Sequence, residues 1–127
     1  MNAVLIVQVA HQYYGLPLNA VVEVIPILAV TPVPNRPPDW LGVANIRGTL
    51  MPVIDARLHF GWPAPLPSLA APLVILQVES QPLALLVDSV ERIVHFSDDA
   101  AVQLYNEQVV VIIDPKVFFS KVNHEQT

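Results

Sequence analysis

Cysteine is absent from this chain, which removes disulfides, thiolate metal ligands and a cysteine nucleophile together. Glycine is nearly as scarce. The four, Gly15, Gly42, Gly48 and Gly61, stand too far apart to build a phosphate-cradling loop. Charge is sparse as well: 13% of residues are charged, and six Lys and Arg against eleven Asp and Glu give a net charge of -5. That balance leaves no basic footprint for nucleic acid. Long apolar runs are also missing, since stretches such as Leu83–Val87 fall far short of the roughly 20 residues of a spanning helix. Met1–Val9 lacks the basic start and small-residue cleavage site of a signal peptide. The expectation is a cytoplasmic protein with no direct membrane insertion.

Proline and aliphatic residues are abundant instead. Thirteen prolines in 127 residues exclude long helices almost everywhere, because each removes a backbone donor and restricts the residue before it. Between them lie short runs rich in Val, Ile and Leu, which favour strands. The expected strands are Ala3–Val9, Tyr13–Leu18, Val21–Ile25, Val43–Ile46, Thr49–Ile54, Leu73–Val78, Leu83–Val87, Val90–Phe96 and Val109–Ile113. This predicts an all-β barrel or sandwich. Ile46-Arg47-Gly48-Thr49 reads as a tight hairpin, with Gly48 as the structural turn residue at positive φ. Glu79-Ser80-Gln81-Pro82 reads as a second hairpin. The proline-dense stretch Gly61–Pro72 reads as a linker dividing the chain into similar halves. One helical turn is expected at Asp55–Phe60, and a short C-terminal helix at Pro115–Val122 capped by Asp114.

Candidate chemistry is thin. Aspartate follows a strand-like run at Asp55, Asp88 and Asp114, and the expected role is structural: a cap or a local pair at a strand end. For Asp55 and Arg57 both an internal pair and a cap stay open. Glu23, a lone carboxylate in an apolar run, must face solvent or be paired. His11, His59, His95 and His124 show no ligand spacing, and no serine sits in a nucleophile elbow. No catalytic residue, metal site or cofactor is expected, and no enzyme activity.

The block Val33–Leu58 is the most specific part of the chain. Gly42-Val43-Ala44-Asn45-Ile46-Arg47-Gly48, then three residues, then Pro52-Val53-Ile54-Asp55-Ala56-Arg57, closely resembles the signature of the CheW-like domain family. Val21-Val22-Glu23-Val24-Ile25, Leu83–Val90 and Val110–Phe118 resemble further family elements in the same order. The resemblance implies two SH3-like β-barrel subdomains, expected at about 13–60 and 72–114 with help from the termini. It also implies a non-enzymatic adaptor that couples cytoplasmic chemoreceptor tips to the regulatory domain of a CheA-type histidine kinase. The positions matching Val21, Glu23 and Arg47 would contact the receptor, with Arg47 at a hairpin tip offering its guanidinium fork to a partner carboxylate. For Arg47 an ordinary solvated hairpin charge is the alternative. For the whole chain the alternatives are a module that binds only one of these partners, in an assembly or decoy role, and an enzyme with a diffuse polar site.

One departure from the family stands out. The segment between Phe96 and Val109 is short, and the expectation is that it lacks a strand and leaves the second barrel truncated. An open edge at Val109–Ile113 or Leu83–Val87 would then invite self-association or cover by the kinase domain.

Overall fold

The computed structural model describes residues 2–65, 70–118 and 120. Among these residues ten strands follow one another: β1 (Asn2–Val9), β2 (Gln12–Pro17), β3 (Val21–Pro26), β4 (Trp40–Ile46), β5 (Thr49–Asp55), β6 (Pro72–Val78), β7 (Gln81–Leu86), β8 (Ser89–Phe96), β9 (Val102–Tyr105) and β10 (Gln108–Ile112). One helical turn, α1 (Ala56–His59), follows β5, and a 3-10 turn at Leu18–Ala20 joins β2 to β3. Residues 115–118 are helical behind Asp114, whose Oδ1 accepts from the Lys116 N–H at 3.0 Å. Residues 66–69 of the expected linker, 119 and 121–122 of the expected helix, and His124 lie outside the described residues.

The strands form two five-stranded sheets, ordered β8-β1-β2-β10-β9 and β3-β6-β7-β5-β4. Each sheet contains one parallel pair, β2 with β10 and β5 with β7, and is otherwise antiparallel. These are the two SH3-like subdomains. Their composition corrects the expected boundaries: one sheet takes 2–17 and 89–112, the other 21–86. The proline-rich stretch is no boundary, because it returns the chain from α1 to β6, which pairs with β3 in the same sheet. The chain changes sheets at the 3-10 turn and again at Val87-Asp88.

The expected truncation is likewise corrected. The short segment holds β9, which pairs with β10 through a two-residue turn, Asn106 at φ 50° and Glu107 at φ 64°. Asparagine tolerates the left-handed region well enough for this hairpin to close without glycine. With β9 present, β10 lies between β2 and β9, and β7 lies between β6 and β5. Neither Val109–Ile113 nor Leu83–Val87 is an open edge.

The apolar content is explained by three cores rather than one. Leu5, Val7 and Leu16 of the first sheet meet Ile54, Val74, Leu76 and Leu85 of the second between the sheets. Behind the first sheet, Val4, Ile6, Phe96 and Val110 form a separate cluster. Inside the second, Ile46, Met51, Val53, Leu73, Ile75 and Leu86 form another. Strands β1, β6 and β7 are therefore buried on both faces and read as unbroken apolar runs instead of alternating ones. Burying each such aliphatic side chain stabilises the fold by about 1.5–3 kcal/mol.

Candidate protein-interaction surface

The turn between β4 and β5 follows from its residues. Arg47 at φ 53° and Gly48 at φ 82° supply the two positive φ angles of a two-residue hairpin. Asn45 Oδ1 accepts from the Gly48 N–H at 2.9 Å, so the Asn-x-Arg-Gly spacing is a turn with its own cap. Arg47 is thus held at a tip, with its side chain 73% exposed.

Glu23 sits on β3. Both β3 and β4 are edges of their sheet. Arg47 Nε and Nη2 bond Glu23 Oε2 and Oε1 at 2.8 and 2.9 Å, a fork-to-fork pair joining β3 to the β4–β5 turn. The Arg47 hydrogen bond holds the Glu23 carboxyl below the ordinary glutamate range, and Glu23 in turn raises the Arg47 guanidinium. The structure therefore corrects one expectation: the Arg47 fork is not vacant for a partner carboxylate, because Glu23 fills it.

Two shallow grooves flank this bridge. One, of about 330 Å³, is lined by Ile25, Ile27, Leu28 and Ile46; the other, of about 320 Å³, by Val22, Thr49, Met51 and Gln77. Val21 is placed differently from Glu23 and Arg47. Its side chain is half-buried and packs on the inter-sheet core, behind a bulge in the β3–β6 register. Exposed apolar residues nearby in sequence are Val22, which lines one groove, Val24 and Leu50. Strand alternation along β3 was the signal for Val22 and Val24, once the edge position of β3 is known.

The remaining polar residues hold the scaffold together. Asp55 Oδ1 accepts from the Arg57 N–H at 2.9 Å and caps α1, while burial pushes its carboxyl up from the usual aspartate range. Arg57 does not pair with Asp55. Its Nη2 and Nε reach Asp88 at 2.7 and 3.0 Å, and its Nη1 bonds the Pro63 carbonyl at 2.9 Å. Asp88 also accepts from the Ala10 N–H at 2.8 Å, so one carboxylate ties α1 to the β1–β2 turn. A pair the sequence did not reveal is Asp39 with His59, Oδ2 to Nδ1 at 2.6 Å, both 7% exposed. The His59 ring lies 4.5 Å from that of Phe118, which joins the helical residues 115–118 to α1. Nothing local signals this pair, since twenty residues separate its members. Among the described residues no three His, Asp or Glu side chains gather where they could hold a metal ion, and no helix is long and apolar enough to cross a membrane.

Two five-stranded sheets sharing a core, with an ion pair flanked by one apolar and one mixed groove, define a small all-β domain. The chain belongs to the CheW-like domain family, whose model matches residues 3–109. It is 34% identical over 91 residues to a chemotaxis protein CheW of Rhizobium meliloti, covering 72% of this chain and 59% of that protein. A probable chemotaxis protein CheW of Rhizobium etli is 28% identical over 92 residues, with the same 72% and 59% coverage. The chain thus spans about three fifths of the length of these relatives. In three dimensions it is similar to the scaffolding protein TtCheW of Thermoanaerobacter tengcongensis, with a TM-score of 0.78 and 24% identity over 89% of this chain and 88% of that one. This last likeness speaks for the fold.

Proposed function

We propose that the chain is a non-enzymatic adaptor of chemotaxis-like signalling, working in the cytoplasm and joining chemoreceptor tips to a CheA-type histidine kinase. Family membership supports the pathway, and the Glu23–Arg47 bridge, flanked by an apolar groove and a mixed one, is the observation that carries the receptor contact. A helical receptor tip would lay apolar side chains into the grooves and exchange hydrogen bonds with the paired charges. Val22 lines one of those grooves and joins Glu23 and Arg47 as a contact residue, with Val21 supporting β3 from the core side. The kinase regulatory domain would dock elsewhere on the barrels.

The test is capture of the purified chain on a receptor-tip fragment and, in parallel, on a kinase regulatory domain. Arg47→Glu places a second carboxylate against Glu23, and we expect receptor capture to fall at least about tenfold. Kinase capture and the unfolding midpoint should stay close to those of the wild type. Wild-type receptor capture by this variant removes Arg47 from the contact surface. Capture of the wild-type chain on one bait alone identifies a module with a single partner.

A further inference from the structure

The two sheets have four edge strands, and three are protected. β8 carries Glu91, Arg92 and His95; β3 carries Glu23 and ends at Pro26. The outer side of β4 is occupied by Thr31, which bonds Val43 at 2.8 and 2.9 Å. Charges, proline and covering segments are the usual ways of blunting an edge. Among the described residues, β9, Val102-Gln103-Leu104-Tyr105, has none of these.

Its hydrogen-bond phase can be read from the hairpin. Across a two-residue turn the flanking pair, Tyr105 and Gln108, exchanges both bonds, as do Gln103 and Val110 two residues on. The Ile112 N–H to the Ala101 carbonyl at 2.9 Å continues that phase. Val102 and Leu104 therefore turn their N–H and C=O groups away from β10. The same two residues are 58% and 69% exposed, and Val109, opposite Leu104, is 48% exposed. An unprotected backbone edge and an apolar outer face coincide on one hairpin.

Charge selects what would cover it. From Ile93 to Pro115 the chain has no Lys or Arg, while Asp98 and Asp99 precede β9 and Glu107 follows it. The Asp98 carboxyl is held below the usual range by the Ala100 N–H and Gln103, so it stays ionised. Antiparallel self-pairing of β9 would bring Asp99 of one copy towards Glu107 of the other, a repulsive arrangement. We infer that the outer edge of β9 receives an extended strand of another protein, apolar in alternation and flanked by basic residues. This surface lies on the other sheet from the Glu23–Arg47 bridge and goes beyond the proposed receptor contact.

The probe is a nine-residue peptide, Lys-Lys-Val-Thr-Val-Thr-Val-Lys-Lys, with a second peptide bearing Glu at the four Lys positions. The readout is amide exchange of the full chain by NMR. In the free protein, Val102 and Leu104 amides should exchange freely while those of Gln103 and Val110 are protected. The lysine peptide should slow exchange at Val102 and Leu104 at least about tenfold, and the glutamate peptide should not. Leu104→Pro removes an outward donor, a change that edge strands tolerate. It should leave the unfolding midpoint near that of the wild type and abolish the protection. Any of three results overturns the inference: protection by both peptides or by neither, protection that survives Leu104→Pro in a folded variant, or a dimer of the free chain in which these amides are already protected.

Discussion

Removing the Asp88 carboxylate should loosen the joint between the two sheets. Asp88 lies where the chain passes from β7 to β8, and it holds both the Ala10 N–H and the Arg57 fork. Ala10 is buried and sits at φ 56°, a conformation the β1–β2 turn needs and alanine disfavours. Asp88→Ala leaves that N–H without its charged acceptor, at a cost of about 1–2 kcal/mol. The ion pair adds less. Its side chains are 28% and 33% exposed, so solvent screening limits it to about 0.5 kcal/mol. The total is about 2 kcal/mol, or roughly 8 °C in unfolding midpoint for a chain of this size. Asp88→Asn keeps an amide oxygen for Ala10 and should lose about half as much. Urea unfolding of both variants, with Arg57→Ala and the double variant to isolate the pair, gives the measurement. If Asp88→Ala unfolds within about 0.5 kcal/mol of the wild type, the joint is not where the stability lies.

Gly42→Ala should be the most damaging glycine change: the added Cβ would lie 2.2 Å from the Thr31 carbonyl oxygen, with φ at 151°. A loss of about 2–3 kcal/mol in urea unfolding is expected, and a smaller loss than that of Gly48→Val would contradict the packing. At Gly48 an added Cβ meets nothing within 4 Å beyond its chain neighbours, so the φ of 82° is the main resistance to Gly48→Val; the expected loss is about 1 kcal/mol, mostly recovered by Gly48→Asn. Asp55 sets a pH dependence. Because burial raises its carboxyl, the folded chain keeps a proton that the unfolded chain has already released. The stability this proton contributes is present below the ordinary aspartate range and is lost as pH rises through the raised folded value. Asp55→Asn, which can still cap α1, should remove that decline. A stability gap between variant and wild type that stays constant from acid to neutral pH would count against it.

Local chemistry was legible in the sequence wherever near neighbours decide the outcome. Proline spacing and aliphatic runs located nine of the ten strands, and Asn45-Ile46-Arg47-Gly48 specified its own turn through one side-chain cap and two positive φ angles. β9 escaped because its pattern is inverted: Val102 and Leu104 face solvent while Gln103 and Tyr105 turn inward, and its turn has no glycine. Assignment of strands to sheets was out of reach, since β1, β6 and β7 are apolar on both faces and carry no sign of which core each face meets. Pairing of charges was decided in the same way. Arg57 is two residues from Asp55 yet bonds Asp88, thirty-one residues away, and Arg47 finds Glu23 only because the fold brings the β4–β5 turn to β3. Short-range backbone geometry and a family-specific motif could be read from neighbouring residues alone. The tertiary structure decided which distant edges and charges came together, because those contacts exist only once three cores have closed around the two sheets.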